Sequence, residues 1–530
     1  MTGHAYPALL DSWAAAAPEA TALLYKDRPV SAGALARRSR TLAASLAALG
    51  LKAGDRAAIW MPNVPAWLVA LAACARLGVA VVSVNTRYRR TEVEDLIART
   101  RPKALFLWPA FRGIDFMGIL AEVAPAALAS LEHVIAYAEE DGAPPLPAAC
   151  ARARRIDYAA LEDGGQESAA QGSREADAIY FTTSGTTKAP KLVRQRQASL
   201  ADHAADVARR FGWAEPGTML LQALPYCGTF GLSQANGALA ARAPSIVDPV
   251  FDPARALDHI KRHKATHLFS TDDMVAKVMA EAKGPADFAS LRFWGHAKFN
   301  PALETLPQDA ARLGIALIGA YGSSELQALF AGGDAKAALP GRARPGGGLV
   351  SPHAAARVRR PDGTLAPPGE TGDLECRGPS LFAGYLDDDE ATRAAMTEDG
   401  FFRTGDLAAM RPDGGFTFVA RAGDALRLSG FLVSPQEIES FIERLPAITG
   451  CQVVGADQPG GTVPVAFVIL TTGEALDEAA LRDACERGLA RYKVPRRFVA
   501  LDAFPVTTGP NGTKIQRGKL RDMAAAILRT

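Results

Sequence analysis

Thr182-Thr183-Ser184-Gly185-Thr186-Thr187-Lys188-Ala189-Pro190-Lys191 follows the apolar run 178–181, which reads as a strand. Backbone N–H groups around a glycine, clustered hydroxyls and two lysines make a donor-rich loop for phosphate oxygens. The spacing is not that of the GxxxxGK[ST] phosphate loop. Outward from this loop, between about 18 and 267, Ala/Leu-rich helical stretches alternate with short strand-like runs such as 79–84 and 104–107. That alternation predicts an α/β fold with parallel layers. The apolar window 66–84 is broken by Arg76 and Gly78 and turns Val-rich, which predicts a buried helix followed by a buried strand and no transmembrane segment. From about 357 the texture changes to short strands separated by Pro-Asp-Gly turns, so a small antiparallel barrel or sheet is expected. After Arg421 the pattern resets, with a helix expected over 435–443, strands near 452–454 and 465–470, and a helix over 478–490. The expected division is a large N-terminal domain, 1–422, of layered β/α subdomains plus the small barrel, and a small α+β C-terminal domain, 423–530.

The chain has 530 residues, 48% of them hydrophobic and 22% charged, which excludes disorder and a fibrous chain. Its net charge of +2 argues against nucleic acid as a partner. The last forty residues carry nine Lys/Arg against Asp502 and Asp522, a basic stretch suited to polyphosphate. Six scattered cysteines without a CxxC pair fit neither a disulfide framework nor a zinc site, and the N-terminus lacks a secretory pattern, so a cytoplasmic location is expected. His259, His263 and His267 are spaced like metal ligands on a helix, but 265–269 reads as a strand, and surface histidines are expected instead. Cys227 has no histidine nearby in sequence to activate it, and no GxSxG or HExxH motif supports a hydrolase.

The phosphate loop resembles that of the adenylate-forming (AMP-binding) superfamily, which includes acyl-CoA synthetases, non-ribosomal adenylation domains and beetle luciferases. The family pattern TSGTTGxPKG falls on 183–192, with Lys188 and Leu192 where glycines are usual. Ala320-Tyr321-Gly322-Ser323-Ser324-Glu325 is similar to the YGxTE segment, and Gly295-His296-Ala297-Lys298 stands where a GGAP strand end lies beside adenine. Arg403-Thr404-Gly405-Asp406 resembles the TGD segment, and Arg421 matches the second ribose contact. Gly423 takes the hinge position, Ser429-Gly430-Phe431 the pantetheine-tunnel segment, and Lys514 in Gly512-Thr513-Lys514-Ile515-Gln516-Arg517 the mobile lysine of GKIxR.

The resemblance implies ATP contacts from Thr183, Ser184, Gly185, Thr186, Thr187, Lys188, Lys191, Ala297, Ala320, Tyr321, Gly322, Ser323, Ser324, Asp406, Arg421 and Lys514. It implies Mg²⁺ at Thr186 and Glu325, catalytic roles for Lys514, Thr186 and Glu325, and coenzyme A at Ser429, Gly430 and Phe431. Tyr226, Cys227, Gly228, Phe230, Gly231, His296, Gly319 and Leu326 are expected to surround the acid. Gly228 replaces a histidine common in the family, which leaves room and favours a medium- or long-chain fatty acid, with an aromatic acid second. The expected function is an AMP-forming acyl-CoA synthetase using a carboxylic acid, ATP and CoA, with a homodimer as the assembly to test. An acyl-adenylate ligase serving a carrier protein is the alternative. An amino-acid adenylation domain is disfavoured because residues 226–231 lack an aspartate, and a nucleotide-binding pseudo-enzyme because Thr186, Glu325, Asp406, Arg421 and Lys514 are all present.

Overall fold

The computed structural model describes residues 3–529 apart from 112–113, 140–143, 164, 184–189, 299–302, 423, 425, 429–430, 434, 459–460, 490 and 510–511. The mixed α/β chain builds two large sheets and a small C-terminal unit. The window with Arg76 and Gly78 forms the helix Pro65–Leu77 and the strand Ala80–Ser83. Gly78 ends the helix in the left-handed conformation at φ 72°, which glycine adopts without strain. That helix is buried almost all round against Tyr226, Leu232 and the helix Ala32–Ala48, as a sequence apolar but for Arg76 requires.

One sheet runs Gly384–Tyr385, Leu192–Arg196, Asp177–Thr182, Ala80–Ser83, Arg56–Trp60, Ala104–Leu107, His133–Ala136, Arg154–Asp157. Its strands are parallel from Asp177–Thr182 to the Arg154 edge. The second sheet has thirteen strands. Its parallel part runs from Leu317–Tyr321 through Phe293–Ala297, His267–Thr271, Leu220–Gln222 and Ser245–Val247 to Thr21–Tyr25. The expected antiparallel part is also present, in Gly346–Leu349, Ala355–Arg359, Thr371–Arg377, Phe402–Met410 and Phe416–Arg421. It is not a separate body. Ala331–Gly332 pairs with both Leu317–Tyr321 and Gly346–Leu349 and carries one hydrogen-bonded ladder from the parallel strands into the antiparallel ones.

Beyond Arg421 the helix Pro435–Ile442 packs on Ile448–Gln458, which pairs with Gly461–Leu470, and that strand in turn with Arg497–Ala500. Ile438, Ile442, Val453, Val468 and Phe498 form its own core. All six cysteines are buried, and none is joined in a disulfide. No helix among the described residues is long and apolar enough to cross a membrane.

Candidate active site

The donor-rich loop joins Asp177–Thr182 to the antiparallel strand Leu192–Arg196 at the carboxyl end of the parallel strands, where open α/β sheets leave a crevice. Thr183 and Lys191 close its neck. The Thr183 N–H donates to the Lys191 carbonyl at 2.9 Å, and the Lys191 N–H donates to Thr183 Oγ1 at 3.1 Å. Ser184, Gly185, Thr186, Thr187 and Lys188 lie outside the described residues, as do Gly423, Ser429, Gly430 and the side chains of Phe431 and Lys514. The backbone of Lys514 lies in the strand Gly512–Ile515, opposite Thr507.

The second parallel system ends at Tyr321, and here the sharpest geometry occurs. Tyr321 Oη donates to Asp406 Oδ2 at 2.6 Å, while Arg421 Nη1 donates to Asp406 Oδ1 at 2.7 Å and to the Thr404 carbonyl at 3.1 Å. The Asp406 N–H donates to Thr404 Oγ1 at 3.0 Å. Cross-strand register sets the acid and the guanidinium opposite each other, since Asp406 pairs directly with Arg421. The Tyr321 ring packs between Phe416 and Phe418 at 5.0 and 5.7 Å, and burial together with the Asp406 carboxylate holds its phenol protonated, well above its ordinary value.

Glu325 lies one short turn further on. Tyr385 Oη donates to its Oε1 at 2.9 Å, and the Lys191 ammonium sits 4.5 Å from the Tyr385 ring centre. Tyr385 therefore connects the phosphate loop to Glu325. Sequence reasoning missed it because the two-residue strand Gly384–Tyr385 is too short to leave a periodic pattern. Also missed was Gln195, whose side-chain amide donates to the Ser324 carbonyl at 2.9 Å. Ser324 Oγ accepts from Thr229 at 3.2 Å. Ser323 Oγ is buried without a hydrogen-bond partner among the described residues, so a donor stands ready for a ligand oxygen.

The residues expected around the acid divide among separate clusters. Tyr226 is fully buried, with its ring 5.8 Å from Trp67, and Phe230 packs 6.0 Å from Phe269. Leu326 packs with Tyr321 and Phe330. Gly228 is the N-cap of the buried helix Thr229–Ala241, which also contains Gly231. A Cβ on Gly319 would stand 2.1 Å from the Arg344 carbonyl oxygen, so this glycine allows close backbone packing. Burial raises the Cys227 thiol to about 11, which leaves it no nucleophilic thiolate near neutral pH. His296 is buried, with Nε2 3.2 Å from the Ala343 carbonyl, and burial lowers it to about 4. It is neutral at pH 7 and offers no cation to an anionic substrate group. Ala297 is the last residue of the strand Phe293–Ala297, and Ala320 stands one place before the end of Leu317–Tyr321.

The histidine expectation needs correction. The strand His267–Thr271 does remove His267 from the helix face, but His259 and His267 are buried at 1% and 2% exposure. The hairpin of strands Thr21–Tyr25 and Arg28–Ser31 brings Asp27 to His259 and His263, a contact that local pattern does not reveal.

Residues 10–386 match the model of the AMP-binding enzyme family, and residues 437–509 match that of the AMP-binding enzyme C-terminal domain. The chain belongs to the AMP-binding enzyme family. It is 32% identical over 540 residues to the 3-[(3aS,4S,7aS)-7a-methyl-1,5-dioxo-octahydro-1H-inden-4-yl]propanoyl:CoA ligase of Mycobacterium tuberculosis, covering 98% of both chains. It is 29% identical to the sulfoacetate–CoA ligase of Cupriavidus necator, covering 98% of this chain and 97% of that one. ATP-bound MatB from Rhodopseudomonas palustris is similar at a TM-score of 0.82 and 25% identity, over 98% and 99% of the two chains. This AMP-binding enzyme is an acid–thiol ligase that joins a carboxylic acid to coenzyme A, using ATP. Its donor set fits that chemistry. Tyr385 holds one oxygen of Glu325, a carboxylate of the kind a hard cation takes, and Ser323 Oγ, buried without a hydrogen-bond partner among the described residues, suits a phosphate oxygen.

Proposed function

We propose that this chain adenylates an apolar, ring-bearing carboxylic acid with ATP and passes the acyl group to free coenzyme A. The observation that carries the reading is the Asp406 carboxylate, held by Tyr321 and Arg421 at the strand ends beside Glu325. A carboxylate fixed in this way suits a diol, because both hydroxyls donate and both carboxylate oxygens accept. Asp406 and Arg421 would take the ribose and Tyr321 the adenine. Thr183, Ser323, Ser324 and Lys191, with the loop from Ser184 to Lys188, would face the phosphates.

Glu325 and Thr186 would hold Mg²⁺, which neutralises phosphate charge when bound. In the first half-reaction a substrate carboxylate oxygen attacks the α-phosphorus and pyrophosphate leaves. Lys514 would meet the charge gathered there, arriving with a C-terminal domain, 423–530, that pivots at Gly423 against 1–422. In the second half-reaction the CoA thiol attacks the acyl carbonyl and AMP leaves, with Ser429, Gly430 and Phe431 along the pantetheine path.

The sequence alone put a fatty acid first. The bicyclic propanoyl substrate named for the Mycobacterium tuberculosis relative moves a ring-bearing acid ahead of it. The neutral, buried His296 disfavours a second anion such as that of sulfoacetate. The apolar surroundings of Phe230 and Leu326 support both apolar readings. A panel of ring-bearing, medium-chain, aryl and short dianionic acids, assayed for pyrophosphate release and for thioester, tests the proposal. Ring-bearing acids should give the highest kcat/KM. Preferential turnover of a short dianion would overturn it, and adenylate that accumulates beside unused CoA would identify a ligase for a carrier protein.

A further inference from the structure

His259 and His263 lie one turn apart on the helix Pro253–Arg262 and its C-cap, far along the sheet from Asp406. Asp27 reaches them from the turn between Thr21–Tyr25 and Arg28–Ser31. One ligand atom from each of these three residues lies within 4.8 Å of the others. His263 Nε2 is 2.8 Å and His259 Nδ1 3.9 Å from Asp27 Oδ1.

The tautomer of His259 decides what the cluster can do. Its Nε2 lies 2.7 Å from Asp248 Oδ2, just beyond the strand Ser245–Val247. A carboxylate only accepts, so Nε2 holds a proton toward Asp248, and Nδ1 is the nitrogen that faces Asp27. That Nδ1 is buried and has no hydrogen-bond partner among the described residues. At 3.9 Å from Asp27 Oδ1, this nitrogen and the carboxylate are placed to share a metal ion. An imidazole oriented by a carboxylate through one nitrogen, with the other bare, is the usual arrangement of a metal-bound histidine. Arg262 pairs with Asp27 at 2.7 Å and Arg255 with Asp248 at 2.6 Å, so the carboxylates are already oriented and charge-balanced. The imidazole nitrogens then select the ion, favouring zinc-class metals over magnesium.

We propose that Asp27, His259 and His263 form a site for a zinc-class transition-metal ion that clips the hairpin turn to the helix. Zinc holds N and O ligands at about 2.0–2.2 Å in a tetrahedron. The three atoms must therefore draw together by a side-chain movement. His263 exchanges its hydrogen bond to Asp27 for a metal bond, its ring proton passing from Nε2 to Nδ1, Arg262 stays on the carboxylate, and water takes the fourth position.

The test uses the full-length chain, stripped with a chelator and free of nucleotide. Zn²⁺ affinity is measured by competition with a chromophoric chelator, and thermal unfolding is followed with and without the ion. One equivalent should bind and raise Tm, and millimolar Mg²⁺ should not displace it. Asp27→Asn and His263→Ala change residues that are not fully buried, and each should weaken binding at least tenfold. Asp248→Asn should weaken it about 10–100-fold, the usual effect of losing an orienting carboxylate. Failure to bind Zn²⁺ overturns the proposal, as does equal affinity in wild type and His263→Ala, which would assign the ion to other groups.

Discussion

Asp406 accepts hydrogen bonds from two partners that reach it from different strands, and it is buried at 5% exposure. Asp406→Asn keeps the side chain's size but exchanges one acceptor oxygen for an amide donor. Hydrogen bonds to charged groups are worth about 1.5–3 kcal/mol. The KM for ATP should therefore rise about 10–100-fold in a pyrophosphate-release assay, with a much smaller change in the KM for the acid. An unchanged KM for ATP would remove this carboxylate from nucleotide binding. Lys514→Ala should separate the half-reactions differently. Adenylation should fall roughly 10²–10³-fold, the scale of losing one transition-state donor, while thioester formation from supplied acyl-adenylate persists. Equal loss of both would refute a specific adenylation role. Legibility at this scale depends on sequence distance. Asp406 and Arg421 stand in recognisable local strings fifteen positions apart, whereas Tyr385 meets Glu325 across sixty positions and is visible only in the folded chain.

The turn after Leu317–Tyr321 carries several of these groups, and its shape depends on one close approach. A Cβ on Gly322 would sit 1.4 Å from the Ala328 carbonyl oxygen. Gly322→Ala should force this turn apart, lowering stability by about 1–3 kcal/mol, as overpacking commonly does, and displacing Ser323 and Glu325. Unchanged Tm and activity would mean the backbone yields there at little cost. Beyond the helix Pro435–Ile442, burial and the nearby Glu439 and Glu304 carboxylates raise Glu443 from 4.5 to about 7. The folded state then favours the neutral acid. That contribution is complete below about pH 4.5 and is lost as pH rises through about 7. Glu443→Gln should therefore unfold at a higher temperature than wild type at pH 8 and at the same temperature at pH 4.5. A constant offset across pH would reject the titration. The elements themselves were largely legible, including the helix and strand divided at Gly78, because each carries its own period or stop signal. The junction at Ala331–Gly332 was not, since a two-residue strand has no pattern to read.

Across the whole molecule, three of the buried histidines should set the acid limit. His203 meets the Gln327 carbonyl at 3.1 Å, and burial holds His203, His267 and His296 at about 4, below the ordinary 6.5. Each is neutral when folded. Their stability contribution is present above about pH 6.5 and is lost as pH falls toward 4, by up to about 3 kcal/mol each. The urea midpoint should drop between pH 7.5 and 5, and His203→Gln should flatten that drop. A parallel curve for the variant would assign the acid limit to other groups. Burial of this kind arises where distant segments close over one another, which explains why His267 read as a surface residue in the sequence.

The thirteen-strand ladder also dictates an order of events during synthesis. Leu23 pairs with Ser245 and Tyr25 with Val247, so the hairpin made first is seated on a strand made more than two hundred residues later. Until that strand leaves the ribosome, Thr21–Tyr25 has an unpaired edge, and pairing across so long a loop is slow. Nascent chains stopped before residue 245 should expose this edge to chaperones and proteases, whereas chains long enough for Ser245–Val247 to leave the ribosome can cover it.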